Sequence, residues 1–160
     1  MSGDLTYAAI LSLLPISELR GGIPYAYLSG QPLWVAYLVC VVANFFVGPI
    51  TYLFLDTVNK LLLKWSFYAR LFDLYIGRVR RKTSGLILKY GFWGVAIFVA
   101  IPLPVTGAYT GTAAAWLFGL DRKKSLLAVL VGVAIAGLVV SFVVYFGIEG
   151  LSFFYKKMQG

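Results

Sequence analysis

Four apolar blocks, at residues 5–28, 33–55, 92–120 and 126–148, dominate this 160-residue sequence, and each is close to the length of helix that crosses a bilayer core. With 61% hydrophobic residues and a mean hydropathy of +0.87, the chain carries more apolar surface than a soluble domain of this length could bury. Membrane embedding follows. By length the chain is a single membrane domain, 1–160, which divides into a first unit (1–56), a basic connection (57–90) and a second unit (91–160). Residues 1–4 lack a basic leader and the first apolar run has no small-residue cleavage site, so no signal peptide is expected and the mature chain should begin near Met1.

Two of the four blocks are broken. Residues 5–14 make only about 15 Å of helix before meeting Pro15-Ile16-Ser17-Glu18-Leu19-Arg20-Gly21-Gly22-Ile23-Pro24. Prolines and glycines at that density stop a helix, residues 25–28 are too short to cross, and Ser29-Gly30-Gln31-Pro32 reads as a turn. The economical shape is a helix that enters, breaks at depth and returns to the same side. Residues 33–55 then read as a full span, with a kink expected at Gly48-Pro49. The second half repeats this layout: 92–101 is short, Pro102-Leu103-Pro104-Val105-Thr106-Gly107-Ala108-Tyr109-Thr110-Gly111 breaks it, 112–118 returns, and 126–148 spans, with Ala136-Gly137 answering the earlier kink.

Between the halves, Lys60, Lys64, Arg70, Arg78, Arg80, Arg81, Lys82 and Lys89 are interleaved with Leu, Trp, Phe and Tyr, as in a helix lying at a lipid interface. A hairpin that re-enters crosses zero times, so the second unit must enter from the opposite face. The expected fold is therefore an all-α integral membrane protein: an inverted-topology repeat of two units, each a re-entrant helical hairpin plus one transmembrane helix, joined by a basic amphipathic interfacial helix. Charge supports this layout. Those eight basic residues and Arg122, Lys123 and Lys124 then share one face, against Lys156 and Lys157 on the other; if all four blocks crossed, the bias would weaken to ten against three. The expected topology is multi-pass in a prokaryotic plasma membrane, with both termini outside and connections 57–90 and 122–124 cytoplasmic. The same positive-inside logic accounts for the net charge of +8 without a nucleic-acid partner.

Glu18 and Arg20 are the only ionisable residues well inside an apolar block, and charge at membrane depth must face a partner or water. Two readings fit them. They form a polar site, with Glu18 binding a proton or monovalent cation and Arg20 an anionic group such as phosphate, or they form a salt bridge that braces the hairpin. The second break offers the hydroxyls of Thr106, Tyr109 and Thr110 and the backbone freed by Pro102 and Pro104, which suit a cation or a phosphate. Gly107 and Gly111, four apart, equally suit close helix packing. Pro15, Gly21, Gly22 and Pro24 play the corresponding breaking role in the first loop. Asn44, in mid-span, needs a partner, for which Ser17 or the second loop are candidates. Trp34, Trp65, Trp93 and Trp116 sit near block ends as interfacial anchors do, and Cys40 reads as a small apolar filler.

With no histidine and one cysteine, no disulfide can form within the chain, and neither a metal site nor a cofactor is expected. No nucleophile sits beside a base in sequence, and the six carboxylates are scattered, so the chain is not expected to be an enzyme.

The two broken segments resemble those of the small multidrug export protein family, and the resemblance covers nearly the whole chain. That family looks like a compact relative of the DedA, or VTT (SNARE-associated), superfamily, in which two opposed re-entrant loops accompany transmembrane helices. The resemblance implies movement of lipids or polyprenyl-phosphate carriers between leaflets, with Glu18 matching the acidic residue of the first loop. DedA-type proteins carry arginine in the second loop; this chain has none there, leaving Arg20 to stand in from the first. The leading expectation is a transporter or scramblase of a lipid or lipid-phosphate, coupled to a proton or cation. The alternatives are an exporter of small cations or drugs by proton exchange, and a non-transporting membrane scaffold. Membrane lipids and a second copy of the chain are the expected partners.

Overall fold

The computed structural model describes the backbone of residues 2–103 and 106–159 and the side chains of residues 3–103 and 106–148. Among the described residues the structure is entirely helical and contains no strand. Pro15 disfavours helical geometry at the residue before it, and helix α1 (Ser2–Leu13) stops there. A tight turn over residues 14–17 follows, held by Leu14 N–H on the Leu11 carbonyl at 3.2 Å and by the Ser17 hydroxyl on the same carbonyl.

The first break is shorter than the sequence suggests. Helix α2 (Glu18–Leu28) starts at Glu18 and runs through Gly21, Gly22 and Pro24, so these three residues are helical and do not form a loop. Close packing explains Gly22: a Cβ there would lie 2.6 Å from the Ala8 carbonyl oxygen and 2.9 Å from Cys40 Sγ. α2 thus folds back along α1, with the Tyr25 ring 6.3 Å from that of Tyr7. Pro24, inside the helix, lacks the N–H that would bond the Arg20 carbonyl. Gly111 is helical as well.

Helices α3 (Leu33–Phe45), α4 (Val47–Asp56) and α5 (Val58–Leu62) follow nearly end to end, and Leu33–Leu62 is long and apolar enough to cross a membrane. The interruption falls at Phe46, ahead of Gly48-Pro49, because Pro49 has no N–H for the Phe45 carbonyl and the ladder opens one turn earlier. Phe46 N–H bonds the Ala43 carbonyl, three residues back, at 3.2 Å. α6 (Ser66–Tyr90) turns Val79, Thr83 and Ile87 inward and leaves its six basic side chains exposed.

After α7 (Phe92–Ala100) comes the second break, then α8 (Ala108–Leu117) and the long α9 (Arg122–Gln159), whose Arg122–Ile148 stretch is the second segment able to cross. α9 runs through Ala136-Gly137 without the interruption that divides α3 from α4, and Gly137 admits α3, since a Cβ there would sit 2.8 Å from Val41 and 2.9 Å from Tyr37. Pro104 lies outside the described residues, as do the side chains of Lys156 and Lys157.

α9 is the central post. α7, α2, α3 and α8 all pack on it, α4 packs on α8, and α6 covers α7 and α8. The contact layer is built from small residues, with Ala8, Ala26, Ala36, Cys40, Ala114 and Ala128 fully buried, which lets backbones approach closely. Outward faces are apolar, as lipid contact requires: Leu38, Val42, Ile50, Leu53, Leu138 and Phe142 are all exposed.

Because Gly22 has no room for a side chain, Gly22→Val should lower thermal stability by about 1–3 kcal/mol, read as a fall in the melting midpoint of purified protein in detergent. An unchanged midpoint would show that α1 and α2 do not pack this closely.

Candidate functional site

The two breaks meet. Glu18 opens α2 in a left-handed conformation, φ +46°, and is the only described residue other than glycine with positive φ. Holding a side-chain-bearing residue there costs about 1–3 kcal/mol, which points to a position constrained by its surroundings. Its side chain is 8% exposed, and its carboxylate accepts hydrogen bonds from the backbone N–H groups of Ala108 and Tyr109. These are amides of the first turn of α8, where helical N–H groups have no intrahelical partner and the helix dipole favours negative charge. Gly107, φ +145°, makes the approach possible, for a Cβ at this position would overlap the Glu18 carboxylate.

Two residues along α2, Arg20 reaches the same second break. Its Nη2 donates to the Thr106 carbonyl and lies 3.3 Å from Thr106 Oγ1. Thr106 organises its own turn, with Oγ1 lying 2.6 Å from the Ile101 carbonyl oxygen and 2.7 Å from that of Leu103. Glu18 and Arg20 therefore each find hydrogen-bond partners on the opposite loop.

Tyr109 adds a third link, its hydroxyl donating to the Leu13 carbonyl at 2.6 Å and satisfying an end group of α1. Thr110 is buried and hydrogen-bonded with Tyr75 of α6. Asn44 is fully buried and donates to the Ser12 carbonyl of α1 at 2.9 Å. That partner differs from the two that the sequence suggested, because Ser17 is turned back onto its own turn and the second loop is taken up by Glu18 and Arg20. Glu18, Arg20, Asn44, Gly107, Val133 and Val140 surround a cavity of single-water size. The glycines of the second break divide in role: Gly107 receives Glu18, while Gly111 lies against Val99 with no space for a methyl.

Two features escaped the sequence reading. The first is an apolar groove of about 490 Å³ between α4, α6 and α8, lined by Ile50, Phe54, Tyr68, Leu71, Tyr75 and Tyr109 among others. The positions Tyr68, Leu71, Phe72 and Tyr75 have the i, i+3, i+4, i+7 spacing of one helix face, a signal present in the sequence but indistinguishable there from a lipid-facing stripe. The second is a polar latch at the far end of α4: Trp116 Nε1 donates to Asp56 at 3.0 Å, and Arg122 stands 3.7 Å from the same carboxylate. Trp116 is thus a staple between α8 and α4, unlike Trp34, Trp65 and Trp93, which are exposed.

A family model described as "Putative small multi-drug export protein" covers residues 18–139, starting at Glu18, where α2 leaves the first break, and including the second break. No curated protein and no solved structure matches the chain.

Gly107→Ala should displace the Glu18 carboxylate and lower stability, and adding Glu18→Ala should restore part of the loss. Thermal denaturation of the two single variants and the double variant should give a coupling of about 0.5–3 kcal/mol. Additive losses would mean that Glu18 does not sit against Gly107.

Proposed function

Because the chain belongs to the small multi-drug export protein family, we propose that it is a membrane transporter that moves an amphiphile with an anionic head, a lipid or lipid-phosphate carrier, between leaflets. One observation carries this reading: the charged tip of the first break, Glu18 and Arg20, is seated on Thr106 and the first amides of α8 in the second. An α-helix N-terminus with an arginine beside it is an anion site. Here the Glu18 carboxylate occupies it. When Glu18 takes up a proton its hold on the Ala108 and Tyr109 amides weakens, and a phosphate can take its place between those amides and Arg20. Proton uptake and head-group binding are then coupled, with no chemical step and no cofactor.

The topology belongs to the same proposal. α1–α2 and α7–α8 are the two re-entrant hairpins, inserted from opposite faces and meeting at this junction, while Leu33–Leu62 and Arg122–Ile148 cross. The exposed basic residues of α6 and of 122–124 lie on the cytoplasmic side and both termini outside.

A second reading, export of a small apolar cation or drug in exchange for a proton on Glu18, draws support from the aromatic groove between α4, α6 and α8. It differs in its cargo and in leaving lipids where they are.

In liposomes carrying a labelled anionic lipid, Glu18→Gln and Arg20→Ala should each slow inter-leaflet movement at least about tenfold, the equivalent of one charge-assisted hydrogen bond. Rates equal to wild type in both variants would remove the site assignment. Proton release on adding a hydrophobic cation, lost in Glu18→Gln and without lipid movement, would select the exporter.

Orientation has its own check. In a Cys40→Ala background, cysteines introduced by Arg70→Cys and Lys123→Cys should both react with an impermeant thiol reagent from the cytoplasmic side. Reaction from opposite sides would mean that all four apolar blocks cross.

A further inference from the structure

Buried polar side-chain atoms normally have a hydrogen-bond partner. Among the described residues, seven buried side-chain atoms fall outside this rule, on Asn44, Thr51, Tyr52, Asn59, Thr112, Ser125 and Ser141; on the seam where α3–α4, α8 and α9 meet, Asn44 Oδ1 and Thr112 Oγ1 have no partner, and the Tyr52 hydroxyl and Ser125 Oγ have none beyond each other. Their order along the helices is regular. Asn44, Gly48, Tyr52 and Asp56 are spaced by four on α3–α4, as are Ala108, Thr112 and Trp116 on α8.

The rows are in register. At one end Asn44 lines the Glu18 cavity, and the Ala108 amide bonds Glu18. Midway, a Cβ on Gly48 would lie 3.6 Å from Thr112 Oγ1. Next, Ser125 lies beside Tyr52, and Arg122 stands 5.3 Å from the centre of the Tyr52 ring. At the other end Asp56 is joined to Trp116 and Arg122, and both charged side chains are open to the outside, at 39% and 54% exposure. Apolar residues of the same volume would pack this seam without leaving the Asn44 and Thr112 oxygens unpaired, so these atoms cost stability that packing alone does not explain.

We propose that this seam is the proton path between Glu18 and the Asp56–Arg122 surface. Four residues of helix rise about 6 Å, close to two O–H···O distances of about 2.8 Å laid end to end. On this path one water links each level of the seam to the next, and a water in the Glu18 cavity, held by the Asn44 carbonyl oxygen, completes the line and passes the proton. The ionisable groups around Glu18 are Arg20 on its own helix, Tyr75 on α6 and Tyr109 on α8; the path reaches it past Asn44, along the seam of α3–α4, α8 and α9. This inference rests on the reading of Glu18 as a proton site.

The test is time-resolved infrared spectroscopy of the protein reconstituted in lipid, following the carboxyl band of Glu18, assigned by its loss in Glu18→Gln, after a light-triggered pH jump. Thr112→Val, which keeps the shape and removes the hydroxyl, should slow the response at least about tenfold, and Tyr52→Phe should slow it too. Thr112→Ser should respond like wild type. Unchanged rates in Thr112→Val and Tyr52→Phe would overturn the path while leaving the proton site standing. Equal slowing in Thr112→Ser and Thr112→Val would also overturn it, since packing and not the hydroxyl would then set the rate. Absence of any Glu18 band would remove the proton site and the path together.

Discussion

The seating of the Glu18 carboxylate on the first amides of α8 is the contact on which the rest of the arrangement depends. It joins two helix breaks nearly ninety residues apart in sequence, satisfies helical N–H groups that would otherwise be orphaned, and gives a buried charge a fixed partner. Arg20 on Thr106 and Tyr109 on Leu13 reinforce the same junction from either side. A left-handed residue at the start of α2 and a glycine at the start of α8 are the two backbone adjustments that let the carboxylate in.

Around that junction the packing follows the logic of a bilayer solvent. No hydrophobic force draws helices together in lipid, so association relies on close approach and on polar contacts. The small residues on α1, α2, α3, α8 and α9 supply the first, and Glu18, Arg20, Asn44 and Tyr109 supply the second. Large apolar side chains are left on the outside, where in a soluble protein they would mark an interface. The surface pair of Asp56 and Arg122, half exposed, adds little energy by itself. Its importance lies in position, at the open end of a seam of buried hydroxyls.

The broken blocks, the all-helical class and the membrane setting were legible because they rest on composition, apolar run length and proline chemistry, all of which are local. The limits of each break were less so. Gly21, Gly22 and Pro24 look like loop residues by propensity, yet Gly22 is helical because Ala8 and Cys40 press against it, a contact invisible along the chain. Gly107 and Gly111 share one spacing but serve different neighbours, the Glu18 carboxylate and Val99. Likewise Asn44 clearly needed a partner, but the one it has, Ser12, depends on how α1 lies against α3.

By itself, the sequence determined that this chain lives in a membrane, where its helices must break, and that Glu18 and Arg20 had to face something polar, since charge at depth allows nothing else. Tertiary structure alone decided what they face. Glu18 and Arg20 act on each other electrostatically, as their proximity in sequence suggests, and the fold adds for each a hydrogen-bond partner on the second loop, because a helix N-terminus and a threonine carbonyl arrive there in the right geometry. The same is true of the aromatic groove and the hydroxyl seam. Each is assembled from three or more helices whose relative placement no local pattern encodes.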